Sequence, residues 1–192
     1  NYCLKAFKDS RYIKVDGKPF FLLYEATDLP DSKHFFELWN KLAQENGFPG
    51  IHFVGLAKGF DSWMEDQLAL GYDAIAHGNF WQAQMKDNFS YFWYRVLRHY
   101  RQNFDFLPLD KYKYKNIIKY LVNENDKREN IYPCLCPGWD RSPRSGRKAV
   151  IYYGSTPELW KKHCQEAVDA VQNKADEHKI IIIRSWNEWG EG

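Results

Sequence analysis

The chain has 192 residues, of which 27 are lysine or arginine and 25 are aspartate or glutamate, so its formal net charge is +2. This balance excludes a general electrostatic attraction to nucleic acid or to an anionic membrane, and a hydrophobic content of 44% excludes a disordered chain. Aromatic residues reach 18% and include eight tryptophans. A core rarely needs so many, so we expect some of them to line a surface that holds flat, partly apolar ligands.

Short apolar runs alternate with helical stretches at the start of the chain. Strands are predicted at residues 20–24, 51–54 and 73–76, where apolar residues are nearly continuous. Helices are predicted between them, at residues 33–46 and 62–70. Apolar residues of the first helix fall on one face, and a glycine follows each of the two stretches.

A long connection, about residues 78–125, follows the third predicted strand and carries predicted helices near residues 90–102 and 112–122. Basic and aromatic residues are interleaved in it, as they are in some proteins that bind nucleic acid. Helical spacing explains the aromatic residues as a packing face and the basic residues as its solvated side. We therefore predict no nucleic-acid partner and interpret the connection as an elaborated loop over a cleft.

The remaining elements complete an alternation of strands and helices. Strands are predicted at residues 131–136 and 180–183, and a helix between them begins after the capping residue Thr156. Such an alternation predicts a parallel sheet with both faces covered. An open doubly wound sheet is less well supported, because no glycine-rich phosphate loop follows any strand.

Five strands are too few for a complete (β/α)8 barrel, which has eight. The sequence begins at Asn1 rather than at methionine and ends at Gly192 inside a dense motif. We therefore predict an α/β fold made of the C-terminal five βα units of a (β/α)8 TIM-type barrel, with the N-terminal strands absent. Residues 1–192 are expected to form a single catalytic-type barrel domain that is truncated at both ends.

The cysteines indicate neither a metal site nor a disulfide scaffold. A zinc site would need a second ligand pair at a spacing comparable to that of Cys134 and Cys136, and none occurs. We interpret the cysteines as small buried hydrophobic residues and predict no metal or other cofactor. No apolar run approaches about 18 residues, so no transmembrane segment is predicted in this region. A cytoplasmic location is expected, and the oligomeric state stays open.

Polar and aromatic residues follow the predicted strands at their carboxyl ends, where the active site of a barrel lies. Tyr24 follows the first strand, Trp139 and Asp140 follow the fourth, and residues 184–191 follow the last. We expect the tryptophans at these ends to stack on the C–H face of a sugar ring, and the carboxylates beside them to handle protons and developing oxocarbenium charge. A salt bridge to a nearby arginine is the alternative for Asp140.

Glu188 lies between Trp186 and Trp189 in the sequence, and Glu191 follows Trp189 by two residues. On a continuing strand they would point to opposite faces, but Gly190 allows a turn that brings both toward one ligand. Two close carboxylates tend to separate their pKa values, which yields one general acid and one general base. The alternative is a loop of solvated acids with tryptophans packed on the rim of the barrel.

Four basic residues without an acid follow the fourth strand, namely Arg141, Arg144, Arg147 and Lys148. Such a run can hold the diphosphate of a nucleotide sugar or an anionic glycan, although a solvated loop is the more frequent reason for one. We interpret His52 and His77 as core or rim histidines.

Three segments carry a resemblance to a known family. Residues 186–192 resemble the W-N-E-W-x-E-G motif of the WbsX-type glycosyltransferase family. Residues 137–144 are similar to its P-G-W-D-N-T-P-R segment, and residues 11–19 to its R-Y-I-K-V-x-G-K-P segment. That family shares a barrel domain with glycoside hydrolase family 99, the endo-acting α-mannosidases and mannanases. The three matches span nearly the whole chain in the order of the family.

The resemblance implies roles for the carboxylate pair. By analogy with the hydrolase relatives, Glu188 would be the base that acts on the sugar 2-hydroxyl, and Glu191 the general acid toward the leaving oxygen. The expected substrate-binding residues come from the strand ends and the matched motifs, and they are Trp186, Asn187, Trp189, Trp139, Asp140, Arg144 and Tyr24. The chain departs from the family pattern where Arg141 and Ser142 replace Asn-Thr, and where Glu25 replaces an arginine.

The leading hypothesis is therefore a glycosyltransferase of the WbsX type that acts in the biosynthesis of an O-antigen-like polysaccharide. The second is an endo-acting glycoside hydrolase on the same scaffold, with a mannan-type substrate and a glutamate pair. The third is a non-catalytic glycan-binding module that keeps a tryptophan-lined cleft. In each case the expected partner is a polysaccharide or a sugar donor.

Overall fold

The computed structural model describes residues 2–24, 26–57, 59, 61–88 and 90–185. Nine strands occur in the described residues: β1 (Lys14–Val15), β2 (Lys18–Leu23), β3 (His52–Ala57), β4 (Ala74–His77), β5 (Asp110–Lys113), β6 (Ile131–Leu135), β7 (Trp139–Asp140), β8 (Val150–Tyr153) and β9 (Ile182–Ile183). The α-helices are α1 (Leu4–Phe7), α2 (Ser32–Glu45), α3 (Asp61–Ala69), α4 (Phe80–Asp87), α5 (Tyr91–Asn103), α6 (Tyr114–Ile117), α7 (Ser142–Ser145) and α8 (Pro157–Val171). Short 3-10 turns lie at Ile118–Tyr120, Glu124–Lys127, Gly146–Lys148 and Asp176–His178.

The main sheet has the strand order β1-β2-β3-β4-β6-β9. The last five of these strands are parallel, and β1 pairs with β2 in the antiparallel sense. These five parallel strands are the five that the sequence predicts, which confirms the prediction of a covered parallel sheet. The predicted division into five βα units is not reproduced as such, because a second sheet is inserted into the connections.

That second sheet has the order β5-β8-β7, with β5 parallel and β7 antiparallel to β8. It replaces part of the helix predicted at residues 112–122, where the structure has a strand that ends at Lys113, then α6 and a 3-10 turn. The side chains of β5 alternate between buried and exposed, with Asp110 and Tyr112 buried. This period of two is the pattern of a strand with one covered face, and it is too short here to be distinguished from a helix in the sequence.

Strand β3 shows why the sheet is hydrophobic on both sides. All six of its residues are buried. Phe53 packs with Phe36 and Ile75 in one cluster, whereas Val54 packs in a different cluster with Tyr132. Because successive side chains of a strand point to opposite faces, the two clusters lie on the two sides of the sheet, as in the wall of a barrel.

Helices α5 and α8 begin at capping residues close to where the sequence predicts them. The side chain of Ser90 accepts a hydrogen bond from the backbone N–H of Trp93 at the start of α5, and the hydroxyl of Thr156 accepts one from Leu159 N–H at the start of α8. Both contacts satisfy N–H groups that have no partner within the helix. Of the helices in the described residues, none is long and apolar enough to span a membrane.

The four cysteines are free thiols. Cys134 and Cys136 are fully buried at the end of β6, and burial raises the pKa of each thiol to about 12. Cys3 and Cys164 are half-buried.

Candidate functional site

A cavity of about 430 Å³ lies at the carboxyl edge of the main sheet. Tyr24 enters it directly after β2, Phe80 enters it from the start of α4 after β4, and Arg184 enters it directly after β9. Together with the second sheet, these elements form the wall, whose described residues are Tyr24, Phe80, Trp81, Gln84, Arg98, Trp139, Arg141, Arg144, Lys148, Val150, Tyr152 and Arg184. The carboxyl edge of a parallel barrel sheet is where active sites collect.

Arg184 holds the aromatic part of the wall together. Its guanidinium lies 4.9 Å from the ring centre of Trp139, 5.4 Å from that of Phe80 and 5.6 Å from that of Tyr24. Its Nη2 also donates a hydrogen bond of 3.1 Å to the Tyr24 hydroxyl. Cations are attracted to the faces of aromatic rings at these distances, so one side chain joins residues that follow three different strands.

A polar network lies behind the cavity. The side-chain Nε2 of Gln84 donates a hydrogen bond to the Tyr152 hydroxyl at 2.5 Å. The side-chain Oε1 of Gln84 accepts one from the Tyr94 hydroxyl at 3.3 Å. Arg98 Nη1 in turn donates to the Tyr94 hydroxyl at 2.5 Å. Burial raises the pKa of Tyr152 and of Tyr94 above the ordinary tyrosine value, so both hydroxyls stay neutral at physiological pH. The network fixes Arg98 against the cavity.

The four basic residues that follow the fourth predicted strand fall into two groups in the structure. Arg141, Arg144 and Lys148 line the cavity. Arg147 points away from it and donates hydrogen bonds to the carbonyl oxygens of Arg101, Phe104 and Leu107 at the end of α5, at 2.8, 2.7 and 2.6 Å. Unsatisfied carbonyls at a helix C-terminus favour a cation, so Arg147 has a structural role.

The structure brings together three of the predicted substrate-binding residues, Tyr24, Trp139 and Arg144, in the wall of the cavity. Asp140 is exposed and does not belong to the described wall. One of its carboxylate oxygens accepts a 2.8 Å hydrogen bond from the Ser142 N–H, at the start of the short helix α7. The other predicted site residues, Glu188, Glu191, Trp186, Asn187 and Trp189, lie outside the described residues, as does Glu25.

The two histidines considered in the sequence lie away from the cavity wall. His52 is buried in β3 with Nε2 3.0 Å from the Tyr132 hydroxyl, and burial lowers its pKa to about 4. His77 Nδ1 lies 3.1 Å from the carboxylate of Asp126, and its Nε2 lies 3.2 Å from that of Asp61. Burial opposes the charge of His77, but the two carboxylates outweigh it and raise the pKa to about 9.

The sequence predicts no site role for Arg98 or Tyr152, and it places Arg184 only within the polar segment that follows the last strand. Arg184 immediately follows an apolar run, which is a signal of a strand-end residue, but the sequence does not show which rings it meets. Arg98 has no such signal, because it lies on a helix of the long connection. Tyr152 pairs with Trp139 across β7 and β8, two strands that are too short to predict.

Comparisons with solved structures show the type of fold. A chain described as a glycoside hydrolase-like protein superposes with a TM-score of 0.65 and 17% identity, and covers 99% of this chain and 50% of its own length. The GH99 endo-alpha-mannosidase from Bacteroides thetaiotaomicron superposes with a TM-score of 0.57 and 18% identity, over 100% of this chain and 48% of its own. The sheet is therefore similar to part of the barrel in these proteins.

Two curated relatives, each named uncharacterized protein WxcX, come from Xanthomonas campestris pv. campestris strains B100 and ATCC 33913. Each is 25% identical over 186 residues, which cover 96% of this chain, so the chain spans about a quarter of their length. The family model described as "Glycosyltransferase WbsX" matches residues 1–192. The chain therefore belongs to the WbsX glycosyltransferase family.

Proposed function

We propose that the chain forms part of an enzyme that transfers a glycosyl group in the assembly of a polysaccharide of the O-antigen type, and that the cavity binds the sugar. The carrying observation is the aromatic wall of Tyr24, Phe80 and Trp139 at the carboxyl edge of the parallel sheet. Ligand pockets are concave, are about 300–1,000 Å³ in volume and combine apolar walls with a few directed polar groups. A cavity of about 430 Å³ has this character.

The proposed reaction uses the two glutamates that follow β9. In the first step Glu188 takes the proton of the sugar 2-hydroxyl as its oxygen bonds to C1, while Glu191 protonates the leaving oxygen as its bond to C1 breaks. In the second step the acceptor hydroxyl bonds to C1 and displaces the 2-oxygen, Glu191 takes the acceptor's proton, and Glu188 returns its proton to the 2-oxygen. In support, Arg184 lines the cavity and precedes Glu188 by only four residues.

The test of transfer uses the full-length protein with nucleotide-linked and lipid-linked sugar donors, and follows donor consumption and product formation. We expect turnover of a donor, and a loss of about a hundredfold or more in Glu191→Gln and in Glu188→Gln, the range for a lost general acid or base. Glu37→Gln is the matched control, since Glu37 is an exposed residue on the far helix α2. Full activity in both site variants would contradict the proposal.

A second candidate is endo-acting glycoside hydrolysis, and the similarity of the fold to an endo-alpha-mannosidase favours it. It predicts that reducing ends are released from a polysaccharide without any activated donor, and that the release is lost in Glu191→Gln. Glycan binding that survives both substitutions, with no turnover of any substrate, would instead support a binding module.

A further inference from the structure

Five positively charged side chains converge on the cavity from three separate parts of the chain. Arg98 comes from α5, Arg184 follows β9, and Arg141, Arg144 and Lys148 come from the segment between β7 and β8. The described part of the wall contains no aspartate or glutamate. Since these cations converge from distant segments, they are not simply the solvated side of one loop.

Several of these cations are held in place by neutral groups rather than by carboxylates. Arg98 is bonded to the Tyr94 hydroxyl, and Arg184 lies over aromatic rings and bonds to a tyrosine hydroxyl. Arg141 has a buried Nε that makes no hydrogen bond to any of the described residues. A buried N–H of this kind is costly to leave without an acceptor, so Arg141 is suited to an acceptor that a ligand brings.

Basic residues next to the cavity, by contrast, have partners within the protein. Arg101 pairs with the buried carboxylate of Asp110 at 3.0 Å. Arg147 is occupied by backbone carbonyls at the end of α5. The fold therefore supplies acceptors to Arg101 and Arg147, which support the structure and lie outside the described cavity wall.

We infer that the cavity takes a sugar that carries an oxyanion, a phosphate or a carboxylate, with the oxyanion seated between Arg98, Arg141 and Lys148 and the sugar ring against Trp139 and Tyr24. Guanidinium groups bind such oxyanions through two parallel, charge-assisted hydrogen bonds. The sugar part of this inference rests on the proposed function. The oxyanion part rests on the positions of Arg98, Arg141 and Lys148 in the wall and on the buried Nε of Arg141, and binding tests it without any turnover.

The experiment measures the affinity of the full-length protein for three probes by titration calorimetry at low salt. The probes are inorganic pyrophosphate for a phosphate source, glucuronate for a carboxylate source, and methyl glucoside as a neutral sugar. We expect one charged probe to bind more tightly than the glucoside, and its binding to weaken with added salt. The tighter of the two charged probes identifies the source of the oxyanion.

The variants are Arg98→Gln and Lys148→Gln, with Arg95→Gln as the matched control on the same helix α5. Removal of one charged partner is expected to weaken binding of the charged probe about ten- to a hundredfold, whereas Arg95→Gln leaves it unchanged. The Lys148 side chain makes no hydrogen bond or ion pair with the described residues, so Lys148→Gln is expected to fold. This variant therefore tests the inference even if Arg98→Gln does not fold.

Two results would overturn the inference. One is a neutral glucoside that binds as tightly as either charged probe. The other is unchanged affinity in Arg98→Gln and Lys148→Gln with a lowered melting temperature, which would mean that the cations serve the protein's own acceptors. Anion binding without donor turnover would support this inference and contradict glycosyl transfer. Donor turnover without anion binding would support glycosyl transfer and contradict this inference.

Discussion

Replacement of His77 by glutamine is expected to remove a pH dependence of folding stability. His77 is 1% exposed at the end of β4 and lies between the carboxylates of Asp126 and Asp61. These groups raise its pKa to about 9 in the folded protein, against about 6.5 in an unfolded chain. The folded state therefore holds the proton more tightly than the unfolded state.

The sign and size follow from proton linkage. Because the folded pKa is raised, the stabilisation is fully present below about pH 6.5 and is lost as the pH rises through about 9. The difference of about 2.5 units corresponds to about 3 kcal/mol near pH 6, of which about 1 kcal/mol is left near pH 8. The wild-type protein should lose about 2 kcal/mol of this contribution over that range.

The assay is urea unfolding followed by tryptophan fluorescence at about pH 6 and about pH 8, for wild type and His77→Gln. Only the difference in unfolding free energy between the two proteins is compared. Burial lowers the pKa of Lys174 to about 8, so the contribution of Lys174 to the stability of both proteins becomes more favourable as the pH rises. Asp61→Asn should reduce the effect, and Asp66→Asn, an exposed residue on the same helix, should not. A wild-type advantage over His77→Gln that is equal at both pH values would refute the reasoning.

Two further predictions test the region around the cavity. Arg147→Lys keeps the charge but loses the planar guanidinium that reaches three carbonyl oxygens. We therefore expect a loss of about 1–3 kcal/mol in unfolding free energy and faster hydrogen exchange at the end of α5. An unchanged exchange pattern would contradict this. Near pH 8, Cys134 and Cys136 should resist alkylation in the native protein and react after unfolding, because they are buried and burial raises the pKa of each thiol to about 12. Mass spectrometry maps the labelled cysteines. Equal labelling before and after unfolding would show that these thiols are accessible in the native protein.

The main sheet could be predicted because its central strands β3, β4 and β6 are buried at every position. In β3 all six residues are buried, so the strand is a continuous apolar run that the sequence shows directly. The second sheet could not be predicted, since β7 has two residues and β5 has charged side chains at three of its four positions. These strands form through pairing with β8, which is a tertiary contact.

The candidate site was predictable to the extent that it follows the strand ends. Tyr24 and Trp139 were expected there, and they lie in the cavity wall. The division of the basic run was not predictable, because Arg144 and Arg147 have similar neighbours in the sequence. Arg147 differs only because the end of α5, far away in the chain, presents carbonyl oxygens to it.

If the cavity binds a sugar as proposed, the position of Arg184 constrains how that sugar enters. Its guanidinium already occupies a face of Trp139 at 4.9 Å and contacts Tyr24 and Phe80 as well. A sugar ring that stacks on Trp139 must therefore use the opposite face of the indole or take the place of the cation. A neutral sugar gains little by displacing a cation from aromatic rings. A sugar whose oxyanion lies between Arg98, Arg141 and Lys148 can leave Arg184 on the rings and pack its own ring beside the guanidinium. The aromatic and cationic parts of the wall therefore favour the same kind of ligand.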